Sequence, residues 1–172
     1  MVKDENNEVR MIAISALNNY CDSRIPIVLI SALKDKVAKV RKAAIIGLAG
    51  YANLHQELGL VKLLQALLWD INFEVSQQAA IALGKIGTNS AATALCELLK
   101  TTAVPVFFKI DAVRALGRIE TQVSLEYLQN LLGYNFLVKV NDWAQIVNEI
   151  IIALGKLEKP ELKRLLRKLS NL

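Results

Sequence analysis

Apolar positions recur along the chain at the three-and-four spacing of amphipathic helices. Five segments with this spacing align without gaps: VRMIAISALNNY from Val9, VRKAAIIGLAGY from Val40, VSQQAAIALGKI from Val75, FKIDAVRALGRI from Phe108 and IVNEIIIALGKL from Ile146. Their starts are 31, 35, 33 and 38 residues apart. A period of this length predicts a helical repeat protein. We term these segments the B helices, and the pattern places them near residues 8–20, 39–51, 74–87, 107–119 and 145–157.

A second set of periodic segments, the A helices, precedes the later B helices. They are IPIVLISAL from Ile25, ELGLVKLLQALL from Glu57, AATALCELL from Ala91 and VSLEYLQNLL from Val123. Short turns containing Asp, Asn, Thr or Gly join the two kinds of helix. Because a short connection between helices favours antiparallel neighbours, each A–B pair is predicted to be a hairpin.

A small residue recurs at one aligned position of every B helix, followed each time by leucine. The small residues are Ala16, Gly47, Ala82, Ala115 and Ala153. In the last three B helices a glycine follows two positions after the small residue, as Gly84, Gly117 and Gly155. Its recurrence indicates close packing or a helix end. A hairpin of this kind cannot bury its own apolar faces, so successive hairpins must stack. We therefore predict an all-α fold, a right-handed α-α superhelix of about five stacked helical hairpins.

The repeats are predicted to form a single domain over residues 1–172. Residues 160–171 place leucines on one side of a helix and basic residues on the other, which is typical of a capping helix. Only eight residues precede Val9, too few for an A helix. This favours interpreting the chain as the C-terminal part of a longer protein, or as a fragment.

An aspartate precedes Val-Arg by a fixed distance in the first two copies. The pattern D-x4-VR is present as Asp4 with Val9-Arg10 and as Asp35 with Val40-Arg41, and Asp70 precedes Val75-Ser76. The fourth and fifth copies keep only ALGRI and ALGKL. With the recurring ALG, these residues resemble the HEAT repeats, in particular the short repeats of phycobilisome-lyase-like proteins. The resemblance implies an α-helical solenoid, which occurs in scaffolds, lyase subunits and nucleic-acid enzymes alike.

The aspartate and arginine positions are interpreted as structural. An aspartate in the turn can cap the following B helix and accept hydrogen bonds from an arginine of its own or the next repeat. Such bonds would orient one repeat on another. The residues assigned this role are Asp4, Arg10, Asp35, Arg41 and Asp70, together with the three recurring glycines.

The net charge of +5 does not indicate a nucleic-acid partner, because residues 156–172 alone contribute six positive and two negative charges. No groove-like stripe of cations and aromatic residues is evident. The start of the chain lacks the basic and apolar regions of a signal peptide, and no apolar run reaches the roughly 20 residues of a membrane span. Cys21 and Cys96 lie far apart. We expect a soluble, cytoplasmic protein.

Several cations are candidates for contact with a partner. Lys85, Arg118 and Lys156 form a column at the ends of the last three B helices, and Lys109 and Arg114 add to it. The alternative is that these cations only complement the dipoles at the helix C-termini.

Aromatic residues provide the other candidates. Trp69 ends an A helix in the column that elsewhere holds Lys34, Lys100 and Gly133, which predicts an exposed interaction residue. Packing on an adjacent turn or on Phe73 is the alternative. The connection between Leu132 and Ile146 is longer than its equivalents and contains Phe136 and Trp143. Insertions of this kind carry specificity in solenoids, whereas an elongated last helix would use the aromatic residues to seal the core.

Catalytic apparatus is not evident, since His55 is the sole histidine and no phosphate-binding loop occurs. The sequence therefore favours a non-catalytic protein-interaction or scaffold module that binds a protein partner or regulates an attached domain. No cofactor and no metal are expected. The resemblance implies an alternative, a phycobilin lyase or phycobilisome-associated subunit, with bilin propionates near Arg114 and Arg118. Duplex binding of the DNA-glycosylase kind ranks last.

Overall fold

The computed structural model describes residues 2–20, 22–54, 59–101, 104–133 and 140–155. Within these ranges the backbone is helical, without a strand, as the repeat pattern predicts. The helices are α1 (Asn7–Leu17), α2 (Ile25–Ala32), α3 (Ala38–Leu48), α4 (Leu60–Leu67), α5 (Phe73–Ile86), α6 (Asn89–Lys100), α7 (Val106–Leu116), α8 (Gln122–Gly133) and α9 (Val140–Gly155), with a 3₁₀ helix at Ala49–Leu54 after α3.

Polar side chains in the turns fix where several of these helices begin. Asn6 accepts a hydrogen bond from the backbone N–H of Glu8 and caps α1, and Thr88 accepts from Ala91 and caps α6. Pro26 lies in the first turn of α2. A backbone N–H at this place would have no acceptor within the helix, so proline, which lacks the N–H, is tolerated there. The starts of α1, α2 and α6 are therefore encoded locally.

The B helices α1, α3, α5 and α7 begin one residue before their predicted starts and end one to three residues earlier. In the second copy the last turn tightens into the 3₁₀ helix. The largest difference is α9, which begins at Val140 rather than near 145 and has 16 residues. Its length agrees with the elongated last helix that was the alternative to a long insertion.

The chain divides into two compact units, Met1–Ile86 and Gly87–Leu172. In the first unit, α1 packs on α3 and α3 on α5, while α2 packs on α3 and α4 on α5. In the second unit, α6 packs on α7 and α8, and α9 packs on α7 and α8. Each unit is thus built from antiparallel hairpins whose B helices lie side by side. The capping helix predicted at 160–171 lies outside the described residues.

Leucine and isoleucine side chains fill the space between the helices. Fully buried examples are Ile14, Leu29, Ile45 and Leu83 in the first unit and Leu95, Leu98 and Leu116 in the second. Burying a side chain of this size contributes about 1.5–3 kcal/mol, so these layers stabilise each hairpin stack.

The recurring small residue lies where one B helix crosses the next. A Cβ atom added to Gly47 of α3 would overlap the side-chain amide of Asn18, at the end of α1, and would come within 2.7 Å of Leu29 Cδ1. In the second unit Ala153 of α9 occupies the same aligned position, and a Cβ atom on Gly117 would lie 2.5 Å from the Cβ of Ala153. Small residues therefore allow neighbouring B helices to approach closely.

Candidate interaction surfaces

An arginine of the first repeat donates hydrogen bonds to the turn of the second repeat. Arg10 is 6% exposed, and its Nε and Nη2 donate to Asp35 Oδ2 and Oδ1 at 2.7 and 3.0 Å. Its Nη1 donates to the backbone carbonyls of Asp4 and Glu5 at 2.7 and 3.0 Å. One guanidinium group therefore binds the turn before its own helix and the turn of the next repeat.

Arg41 repeats this arrangement one copy later. Its Nε and Nη2 donate to the two carboxylate oxygens of Asp70, both at 2.7 Å, and its Nη1 donates to the carbonyl of Asp35 at 2.7 Å. The side chains of the pair are 12% and 8% exposed. We call the two arginines and their aspartates the Arg–Asp ladder. The sequence predicted that each aspartate would accept from an arginine of its own or the next repeat; here the arginine belongs to the preceding repeat.

Each ladder aspartate also holds its turn. Asp35 Oδ1 accepts from the backbone N–H of Val37, and Asp70 Oδ1 accepts from that of Asn72, both at 2.8 Å. At the aligned arginine position of the third repeat, Ser76 instead donates to the carbonyl of Phe73. No serine side chain could form the two-pronged contact with a carboxylate, so the ladder ends at Asp70.

We expect the free energy of unfolding to fall as the pH is lowered below about 4. The hydrogen bond from Arg10 lowers the pKa of Asp35. Burial raises the pKa of Asp70, but hydrogen bonds from Arg41 and the Asn72 N–H outweigh it and the pKa is lowered. An aspartate whose pKa falls below its unfolded value of about 3.9 stabilises the fold fully above that value and loses this contribution as the pH falls through its folded pKa.

Denaturant titrations between pH 7 and pH 3 measure this loss. Asp35→Asn cannot titrate, so its stability should depend less on pH than that of the unchanged chain. Equal pH dependence in both proteins would contradict a role for Asp35 in acid sensitivity.

Two large apolar side chains flank Asp70 on the surface. Trp69 is 56% exposed and Ile71 is fully exposed. Because the Asp70 carboxylate is bound by Arg41 and by the Asn72 N–H, the backbone between the two side chains is held in one conformation. We call this feature the Trp69–Ile71 turn. The aligned turn of the second repeat has Lys34 and Lys36 in the same places.

The candidate cations have different surroundings. Lys85 is exposed in the last turn of α5, where a helix dipole favours positive charge. Lys109 is half-buried near the start of α7. Arg114 is engaged by Glu149, with hydrogen bonds of 3.0 and 2.7 Å from Nε and Nη2, and Asp111 lies 3.5 Å from Nη1. The charge of Arg114 is therefore already matched within the second unit.

Arg118 lies beside a small cavity of about 180 Å³ between α7 and α9. Arg114, Gly117, Glu149, Ile152 and Ala153 line the rest of it. Arg118 is exposed and forms no ion pair with the described residues, and Ile152 is exposed as well. This site offers one available cation beside an apolar side chain.

Other predicted residues lie partly or wholly outside the described structure. Phe136 and Lys156 are not among the described residues. Trp143 belongs to α9, but its side chain is not described. Gly84 is buried inside α5, and Gly155 is the last residue of α9.

Three residues that are exposed or form an ion pair in the structure were not identified from the sequence. Ile71 was overlooked because a single isoleucine in a turn carries no periodic signal. Glu149 was overlooked as the partner of Arg114 because 35 residues separate them, although they lie on the neighbouring B helices α9 and α7. Ile12, 58% exposed on α1, was not singled out because it belongs to the periodic apolar pattern of that helix.

Neither a membrane span nor a metal centre is found in the described ranges. None of their helices is both long and apolar enough to cross a membrane. Their His, Cys, Asp and Glu side chains also include no group of three that could hold a metal ion. Cys96 is buried, and desolvation raises its pKa to about 12, so it is not a reactive thiol.

Stacked hairpins joined by arginine–aspartate contacts define an α-helical repeat protein. The profile of the HEAT repeats matches residues 25–107, and that of the PBS lyase HEAT-like repeat matches residues 108–134. The chain belongs to the HEAT-repeat family. Among curated proteins, no sequence matches it.

Solved structures with the same fold include engineered proteins and a lyase complex. One engineered protein is 20% identical with a TM-score of 0.59, over 96% of this chain and 90% of its own. Another is 18% identical with a TM-score of 0.58, over 99% and 84%. The complex of CpcE and CpcF of phycocyanin lyase from Nostoc sp. PCC7120 is 21% identical with a TM-score of 0.53, over 90% and 72%. At these identities the likeness concerns the fold alone.

Proposed function

We propose that this protein is a non-catalytic interaction module that binds a protein partner, or regulates an attached domain, through the Trp69–Ile71 turn. The observation that carries the proposal is the exposure of two large apolar side chains on either side of an aspartate that is itself fixed by Arg41. Cytoplasmic scaffolding is the setting we propose for it.

The geometry of the turn suits an anchor residue. Tryptophan is enriched among the residues that dominate binding energy at protein interfaces. A side chain presented by a backbone that is already ordered loses less conformational entropy on binding. Trp69 and Ile71 meet both conditions, because the hydrogen bonds of Asp70 order the turn before any partner arrives.

The cationic residues are proposed as secondary contacts. In the second unit, Arg118 beside Ile152 could receive an acidic side chain with an apolar neighbour, since Arg118 has no described ion-pair partner. Arg114 contributes less, because Glu149 already binds its guanidinium group. Lys85, Lys109, Phe136, Trp143 and Lys156 stay predictions for the same kind of contact.

Bilin handling is the second candidate, and the match to the PBS lyase HEAT-like repeat over residues 108–134 is what favours it. That segment contains Arg114 and Arg118. However, the cavity beside them measures about 180 Å³, whereas pockets for drug-sized ligands usually measure about 300–1,000 Å³. The cavity beside Arg114 and Arg118 is therefore small for an enclosed chromophore.

The double substitution Trp69→Lys and Ile71→Lys is expected to lower partner capture about tenfold or more, because losing an interface anchor costs about 2 kcal/mol or more. It should leave the fold unchanged, since the aligned turn of the second repeat already carries Lys34 and Lys36. Capture from native extract, quantified by mass spectrometry, measures binding, and circular dichroism checks the helices.

Ile27→Lys is the matched control. Ile27 is exposed on α2, and its aligned position in α4 holds Lys62, so this change also removes an exposed isoleucine without disturbing packing. Capture should survive it. If the control and the double variant retained the same proteins equally, the turn would not be the binding site.

A further inference from the structure

Two neighbouring turns of the first unit are held by one guanidinium group. Arg41 donates from Nη1 to the carbonyl of Asp35, in the turn before α3. It donates from Nε and Nη2 to the carboxylate of Asp70, in the turn before α5, and each of these bonds measures 2.7 Å. The turn around Asp35 and the Trp69–Ile71 turn therefore lie next to each other, at the same edge of the first unit.

The turn before α3 presents positive charge. Lys34 and Lys36 lie on either side of Asp35, both are exposed, and neither forms an ion pair with a described residue. The carboxylate of Asp35 is already bound by Arg10 Nε and Nη2 and by the backbone N–H of Val37. The two lysines thus leave this turn with an excess of positive charge. We call them the lysine pair.

The turn before α1 carries charge of the opposite sign. Arg10 joins it to the turn before α3, because its Nη1 donates to the carbonyls of Asp4 and Glu5. Asp4 and Glu5 are both exposed, and Lys3 offsets only one of their two charges. Along this edge of the first unit, the three turns are therefore acidic, basic and apolar in that order.

We propose that the partner bound at the Trp69–Ile71 turn is an acidic peptide segment of another protein. A large apolar side chain of the segment packs on Trp69 and Ile71, and its carboxylates bind the lysine pair. This inference rests on the proposed function and adds the chemistry of the partner. Complementary charge is what supports it, since cations beside an apolar anchor favour an acidic partner and disfavour a basic one.

The spacing of the turns sets the spacing within the segment. The B helices α3 and α5 pack side by side, and helices in contact lie about 8–10 Å apart. An extended chain advances about 3.3 Å per residue. The apolar residue and the carboxylates should therefore be about three residues apart. Carboxylates placed one turn further on would meet Asp4 and Glu5, so the segment has one favoured direction.

A phage-displayed library of random peptides tests which chemistry the surface prefers. Selection uses the full chain, with counter-selection against the Trp69→Lys and Ile71→Lys double variant. That variant has more positive charge, so it removes peptides that bind through charge alone. The peptides that remain should carry aspartate or glutamate about three residues from a large apolar residue.

Fluorescence anisotropy with one selected peptide measures the contribution of charge. The double substitution Lys34→Gln and Lys36→Gln should weaken binding about fivefold or more, as expected for two exposed ion pairs. Replacing the acidic residues of the peptide by their amides should have an equal effect. Both changes together should weaken binding no more than either alone. Added sodium chloride should weaken the unchanged pair more than the neutralised one.

Arg24→Gln combined with Lys62→Gln is the control with matched charge. Arg24 precedes α2 and Lys62 lies in the first turn of α4, so both are at the opposite ends of these helices from Lys34 and Trp69. This variant should keep its affinity for the peptide. Circular dichroism should show unchanged helix in both double variants, because all four side chains are exposed.

Four results would overturn this inference. Selected peptides without acidic residues would exclude an acidic partner and leave the proposed function intact. Equal losses of affinity in the lysine variant and its control would show that only net charge matters. Sedimentation with phosphatidylserine vesicles that requires Trp69 and the lysine pair, with no peptide selected, would make an anionic membrane the occupant. If no peptide were selected and capture from extract also survived the loss of Trp69 and Ile71, the proposed function would fail as well.

Discussion

Replacing Arg41 by Met is expected to lower the free energy of unfolding by about 3 kcal/mol. Removing one member of a largely buried ion pair leaves the other charge without compensation, and such losses amount to about 3–5 kcal/mol. Asp70 is 8% exposed and would keep only the hydrogen bond from the Asn72 N–H. The carbonyl of Asp35 would lose its donor as well. Urea denaturation followed by circular dichroism measures the change.

Arg24→Met provides the matched control. Arg24 binds Asp22 two residues away, at 2.7 Å, but its side chain is 87% exposed. Because exposed ion pairs contribute little, this variant should unfold at the same urea concentration as the unchanged chain. If the two variants lost equal stability, the burial of the Arg–Asp ladder would not be what makes it stabilising.

Gly47→Leu is expected to destabilise the chain by about 3 kcal/mol or more. Leucine is a better helix former than glycine, so local propensity alone predicts a gain of nearly 1 kcal/mol. Overpacking opposes this gain, because the first side-chain carbon already overlaps the amide of Asn18 and lies 2.7 Å from Leu29 Cδ1. The helices α1 and α3 would have to separate.

Gly50→Leu separates packing from propensity. Gly50 lies in the 3₁₀ helix that follows α3, is exposed, and has no atom within 4 Å of the position of an added Cβ. This variant should not lower the urea midpoint. A Gly47→Leu protein as stable as Gly50→Leu would show that the contact between α1 and α3 can expand at no cost.

The helices were predictable because their signal is repeated along the chain. Five aligned segments with one period identify the B helices without any knowledge of contacts, and the column of small residues indicated the close crossing later seen at Gly47 and Ala153. The ends of the helices were less predictable. In the second copy, for example, hydrogen bonding changes from α to 3₁₀ at Ala49, and no residue type enforces that change.

The candidate site was predictable only in part. Trp69 could be found because it replaces lysine in an aligned column, but Ile71 has no comparable signal. Arg114 was predicted to be available for a partner, and it is engaged because Glu149 projects from α9 beside it. Pairing between residues 35 positions apart depends on the crossing of two helices, which a periodic pattern does not specify.

The Arg–Asp ladder also has a consequence for how the first repeats come apart. If α1 opened alone, Arg10 would leave and the Asp35 carboxylate, in a repeat still folded, would lose two of its hydrogen bonds. Fraying at this end is therefore penalised in the neighbour as well as in the helix that opens. A repeat protein can be treated as a one-dimensional chain of units in which each unit is coupled to its neighbours. The Arg–Asp ladder strengthens this coupling, so the first three repeats should melt cooperatively rather than one by one.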